Sequence, residues 1–117
     1  RWNKIAASAA AQSGRGRIPT VTAAASFDAA LAQAAQAELP VLFYENEQRR
    51  TFREAIGDAT FASAALMTGP EGGFTSEEIQ TAQQAGLQIC TLGPRILRCE
   101  TAPLCALSAL LYATGEF

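Results

Sequence analysis

Three short apolar runs, at residues 41–44, 62–68 and 87–92, alternate with helix-forming stretches along the chain. Continuous apolar runs of this length, bounded by turn residues, are what strands buried on both faces look like. Strands that alternate with helices imply an α/β fold, a parallel sheet with helices on both faces. The expected order is helix, helix, strand, helix, strand, helix, strand, helix.

The punctuation supports this order. Residues 1–13 are alanine-rich and lack glycine and proline, which favours helix, and Gly14 is placed to end it. Residues 14–19, Gly-Arg-Gly-Arg-Ile-Pro, read as an irregular basic loop. Ser26 can cap a second helix over residues 27–38, with Phe27, Leu31 and Ala34 or Ala35 on one stripe and Pro40 as its terminator. A short amphipathic helix fits residues 51–56, within the most charged stretch. Gly69-Pro70-Glu71-Gly72-Gly73 then breaks the second apolar run. Thr75 and Glu78 form a capping-box pattern for a helix that reaches Ala85 and stops at Gly86. From Thr101 the chain is helical again, with Pro103 tolerated in the first turn. No repeat or linker divides the chain, so residues 1–117 form one domain.

Composition removes several kinds of chemistry. The chain is 49% hydrophobic and 17% charged, enough to build a core and too apolar for a disordered charged tail. Nine Lys and Arg against 11 Asp and Glu give a net charge of -2, so any nucleic-acid contact must come from a local patch. There is no histidine. That excludes Ser-His-Asp and Cys-His catalysis, HExxH zinc sites and histidine bases. Three cysteines without a CxxC pair argue against a disulfide framework and for a reduced, cytoplasmic setting, and no metal site is expected. The longest apolar stretch, residues 104–113, is interrupted by Ser108 and falls well short of the roughly 20 residues of a membrane span. The chain opens at Arg1, already within a helix pattern, and reads as a piece of a longer protein.

In open parallel sheets ligands gather at the carboxyl ends of the strands. Two loops hold that position, residues 69–73 and 92–100. The first puts glycines before a helix N-terminus, where backbone approaches a ligand closely and free N–H groups point outward. It could also be no more than a tight turn, and it matches neither GxGxxG nor GxxxxGK[ST]. The second carries Ile96 and Leu97 between Arg95 and Arg98. Apolar residues in such a loop suggest burial, with Glu100 as the partner a buried arginine needs. Thr101 reads as a helix N-cap or a ligand contact. The last helix is apolar almost all round, with Leu104, Leu107 and Leu111 on one stripe and Ala102, Ala106, Ala109 and Ala113 on another. One of its faces is expected on the sheet and another on a partner.

Thr68-Gly69-Pro70-Glu71-Gly72-Gly73-Phe74, followed by Leu92-Gly93-x-Arg95-Ile96-Leu97-Arg98-x-Glu100-Thr101-Ala102, closely resembles the 16S ribosomal RNA uracil-N3 methyltransferases of the SPOUT superfamily. The opening Arg1-Trp2-x-Lys4-Ile5 and Gln12-Ser13-Gly14-Arg15 are similar to the same family, so the likeness spans nearly the whole chain. It implies a deep trefoil knot near the C-terminus, S-adenosylmethionine bound bent within it, and a homodimer packed through the knots and the last helix. The cofactor-binding residues it implies are Leu66, Thr68, Gly69, Pro70, Glu71, Gly72, Gly73, Leu92, Gly93, Arg95, Ile96, Leu97, Arg98, Thr101 and Ala102. Backbone groups of Leu92, Gly93, Ile96 and Leu97 would hold adenine and ribose. The family's N-terminal RNA-binding β-barrel and the first strand and helix of its methyltransferase domain have no counterpart in these 117 residues.

The implied function is methylation of a uracil N3 in 16S ribosomal RNA. The weakly acidic N3 imide must lose its proton, and without histidine the base is a carboxylate, water, or a group that lowers the imide pKa. Glu71 is the carboxylate in the glycine loop. Arg15 or Arg98 could stabilise the developing uracil anion. Arg15, in a loop with no nearby acid, is free to meet RNA, whereas Arg98 beside Glu100 would lock the second loop. The alternatives are a non-catalytic module that binds S-adenosylmethionine or dimerises, and a nucleotide-binding α/β domain without a knot.

Overall fold

The computed structural model describes residues 1–47, 49–58 and 60–117. The elements follow the expected order: α1 (Trp2–Ser13), α2 (Phe27–Ala34), β1 (Leu39–Phe43), α3 (Phe52–Ile56), β2 (Ala64–Met67), α4 (Ser76–Gln84), β3 (Gln88–Cys90) and α5 (Ala102–Ala113). The strands form one parallel sheet in the order β2-β1-β3.

β1 is buried at every position, with Val41 and Leu42 wholly inaccessible. Because successive side chains point to opposite faces, this one strand feeds two cores. Leu42 joins Leu31 and Ala34 of α2, Ile79 and Ala82 of α4, and Ile89 on one face. Leu39, Val41 and Phe43 meet Phe52 and Ile56 of α3 and Ala106 of α5 on the other. Phe43 and Phe52 pack edge to face with ring centroids 4.8 Å apart. The chain moves from β1 to β2 by way of α3, then back across β1 to β3 by way of α4. The two connecting helices lie on opposite faces, as a common handedness requires when the direction across the sheet reverses.

The caps are local and legible. Ser26 Oγ accepts from the Ala29 amide, and Thr51 Oγ1 from that of Glu54. Thr75 and Glu78 close a reciprocal capping box, in which the Glu78 amide donates to Thr75 Oγ1 and the Thr75 amide to Glu78 Oε1. Gly14, at φ 78°, ends α1 while the Arg15 amide donates to the Ala10 carbonyl. The Asn3 side chain clamps the amide and carbonyl of Val21, which draws the loop after α1 back along that helix.

Two expectations need correcting here. α2 ends at Ala34 rather than running on to residue 38, and Pro40 belongs to β1. Pro40 fits a central strand because β3 begins only opposite Val41. The Leu39 amide bonds Ser63 on the β2 side, so the amide missing at Pro40 would have faced the other side, where no strand yet lies. β2 and β3 are also shorter than their apolar runs, because the flanking residues turn into the loops at the strand ends.

Candidate functional site

The loops that leave the carboxyl ends of all three strands meet around one cavity of about 430 Å³. That volume lies in the range of roughly 300–1,000 Å³ usual for small-molecule sites. Phe43 at the end of β1 and Tyr44 and Glu45 just after it line one side. The loop after β2 contributes Thr68, Gly69, Pro70, Glu71, Gly73 and Phe74, and the loop after β3 contributes residues 91–100 with Ala102 of α5.

The wall after β2 is tightly braced. The Gly73 amide donates to the Pro70 carbonyl at 2.8 Å, closing the turn, and Gly73 has a φ of 74° that side chains rarely adopt. A Cβ on Gly73 would stand 2.7 Å from Glu45 Oε1, so the bare glycine lets the carboxylate lie against the backbone. A Cβ on Gly69 would come within 3.1 Å of the Phe74 ring. Phe74 in turn packs against Phe27 of α2, with centroids 5.9 Å apart. Thr75 then opens α4 directly beneath.

The wall after β3 starts firmly and then loosens. The Thr91 amide donates to the Arg50 carbonyl at 2.9 Å, and the Thr91 hydroxyl both donates to the Gly93 carbonyl and accepts from its amide. At the far end the Thr101 and Ala102 amides share the Arg98 carbonyl. Between them Ile96 is 78% exposed, and only Leu97 turns partly inward. The expected burial of Ile96 is therefore corrected: its side chain projects into solvent from the middle of the loop. The expected Arg98–Glu100 pair is corrected as well. Both residues are exposed, and Glu100 Oε2 accepts instead from the Cys99 thiol at 3.3 Å. That hydrogen bond, more than the charge of Glu71, pushes the Cys99 thiol above its ordinary range. Thr101 stands at the N-cap position of α5 but makes no side-chain cap bond, since its own backbone is already helical.

The structure brings together Thr68, Gly69, Pro70, Glu71, Gly73, Leu92, Gly93, Arg95, Ile96, Leu97, Arg98 and Ala102 of the residues the sequence singles out. Leu66, Gly72 and Thr101 stand outside the lining, and a Cβ on Gly72 would meet nothing within 4 Å. Arg15 lies apart from the cavity at the end of α1, its Nε donating to the Arg17 carbonyl at 3.1 Å. The sequence reading missed Tyr44 and Glu45. The available signal was their place just past the central strand, where neighbouring loops diverge to opposite sides of the sheet.

The donor set suits a molecule with an aromatic face, hydroxyls, and charges of both signs. Leu92, Leu97 and Phe74 offer apolar surface, Arg95 and Arg98 offer guanidinium groups, and Glu45, Glu71 and Glu100 offer carboxylates. Among the described residues no cluster of His, Cys, Asp and Glu could hold a metal ion, and no helix is long and apolar enough to cross a membrane.

A family model for RNA methyltransferase domains matches residues 1–111. The chain is 40% identical over 119 aligned positions to the ribosomal RNA small subunit methyltransferase E of Bacillus subtilis, covering 97% of this chain and 46% of that protein. It is 36% identical to the protein of the same name in Mycobacterium bovis, covering 100% and 45%. Among solved structures, a Legionella pneumophila chain in complex with bound cofactor SAM superposes with a TM-score of 0.84 at 35% identity, covering 96% of this chain and 45% of that one. The Neisseria gonorrhoeae ribosomal RNA small subunit methyltransferase E, bound to S-adenosyl methionine, gives 0.75 at 38% identity, covering 97% and 46%. The chain thus spans less than half the length of these relatives.

Proposed function

The chain belongs to the family of RNA methyltransferase domains, and we propose that it uses S-adenosylmethionine to methylate the N3 of a uracil in 16S ribosomal RNA. The observation that carries this reading is the single cavity at the carboxyl ends of the three strands, walled by the two loops whose motifs carry the family likeness. Bound there, S-adenosylmethionine would supply an electrophilic methyl group on a positively charged sulfur.

The chain's own residues would do the rest. Leu92, Leu97 and the backbone at Gly93 and Ile96 would hold the adenosine end, with Thr68, Gly69 and Gly73 as the opposite wall. Leu66, Gly72 and Thr101 would support those walls from just outside the lining. Walls at the strand ends would orient the reactants before reaction, which lowers the entropic part of the barrier. Arg98, on the cavity, would stabilise negative charge on the uracil ring, and Arg15, outside it, would meet the RNA. Glu45, Glu71 and Glu100 are the carboxylates within the cavity that could receive the imide proton.

The same reading would put the protein in the cytoplasm, give it a deep trefoil knot near the C-terminus, and make α5 a homodimer face. α5 buries Ala106 on the sheet while leaving Leu104 69% and Leu107 49% exposed. Light scattering should report a dimer that Leu107→Glu breaks, because a carboxylate without a partner resists burial.

The deciding experiment supplies the protein at its full natural length with ribosomal RNA and methyl-labelled S-adenosylmethionine. N3-methyluridine in the digested RNA is the expected product. Tight cofactor binding with no label in any RNA would favour the non-catalytic binding module instead.

A further inference from the structure

Of the three carboxylates in the cavity, one differs from the others in how it is held. Glu100, in the wall after β3, is engaged by the Cys99 thiol, and Glu71 stands in the turn after β2. Glu45 lines the same cavity from the end of the central strand. It follows the fully buried β1 by two residues, and the Tyr44 amide continues the sheet ladder by donating to the Cys90 carbonyl at 2.9 Å. Its carboxylate rests against the bare α-carbon of Gly73, where a Cβ would come to 2.7 Å of Oε1. No hydrogen bond or ion pair occupies it among the described residues. An exposed carboxylate that follows a buried strand, lies against Gly73 and lines the cavity is placed to take a proton rather than to hold the fold.

We propose that Glu45 is the proton acceptor for the target base, in preference to Glu71. This assignment rests on the methyl-transfer reading above. The N3–H proton of the uracil passes to a Glu45 carboxylate oxygen and from there to solvent. The electron pair left on N3 forms the new N–CH3 bond, while the pair of the breaking S–CH3 bond stays on sulfur, converting the sulfonium to a neutral thioether. The other titratable or charged groups lining the cavity are Tyr44, Glu71, Arg95, Arg98, Cys99 and Glu100. Of these, the two guanidinium groups would stabilise the uracil anion.

The test compares Glu45→Gln and Glu71→Gln in the protein at its full length, by single-turnover methylation of ribosomal RNA across a range of pH. Gln keeps the shape that fits against Gly73, so thermal unfolding should match the unmodified protein. Glu45→Gln should lower the rate by about 10²–10⁴-fold, the usual contribution of a positioned base, and should remove the fall in rate on the acid side of the profile. Cofactor affinity by calorimetry and RNA affinity by filter binding should not move. An RNA carrying 5-fluorouridine at the target, whose imide is more acidic, should recover part of the Glu45→Gln loss. A Glu45→Gln protein that keeps the full rate, or a loss that falls on Glu71→Gln instead, overturns the assignment alone. An unmodified protein that transfers no methyl group to uracil overturns the reaction and the assignment together.

Discussion

The loop after β2 and the loop after β3 both line the cavity and both lead into a helix, yet they are held in different ways. In the first, Gly69, Gly73, Phe74 and Thr75 each touch something specific: a ring, a carboxylate, a neighbouring helix, a capping partner. In the second, hydrogen bonds pin the two ends at Gly93 and Arg98, while Ile96 between them projects into solvent. The first wall is complete in the free chain. The second is pinned at its ends by hydrogen bonds and leaves the Ile96 side chain in solvent. Substitutions in the first wall should therefore register as lost stability, and those in the second as lost binding with stability intact.

The largest effect is expected at Gly73. Gly73→Val forces a branched side chain into positive φ, and backbone strain of this kind costs about 1–3 kcal/mol, while the Glu45 carboxylate it meets is exposed and can swing aside. Denaturant melts should show the loss, and an unchanged midpoint would mean that the turn is not braced as described. Phe74→Ala comes next. It removes a half-buried ring from Phe27 and Gly69, and a loss of about 2 kcal/mol is expected, below the full-burial range for Phe→Ala. Thr75→Ala should cost about 1 kcal/mol, as one half of a capping box usually does. Arg98→Ala marks the opposite pole. With Glu100 bonded to Cys99 and both residues exposed, stability should stay within about 0.5 kcal/mol. Cofactor and RNA titrations would carry the whole phenotype, and a destabilised Arg98→Ala protein would restore the locking ion pair that the sequence suggests.

The same contrast explains what could be read from the sequence. The turn and cap of the first wall are local: an apolar run, a glycine break, and a Thr and Glu three positions apart that satisfy each other at a helix start. The second wall depends on what packs over it, which pattern alone does not specify. Ile96 and Leu97 look alike as text, and only the fold separates the exposed one from the tucked one. Pro40 reads in the sequence as a helix terminator for a related reason. Its role turns on where β3 begins alongside β1, a fact about register between distant residues. Glu45 escaped notice because it opens the most charged stretch of the chain, where one carboxylate looks like any other. Its significance comes from Gly73, which lies far along the sequence but against it in space.

Calorimetric titration of S-adenosylmethionine into the unmodified protein, Gly73→Ala and Leu92→Ala tests the cavity assignment most directly. The account predicts one saturable site in the unmodified protein. It predicts weaker binding in Gly73→Ala through a disturbed first wall, and weaker binding in Leu92→Ala through lost apolar contact in a protein that still melts cooperatively. Full-strength binding in both folded variants would contradict the placement of the cofactor between these two loops.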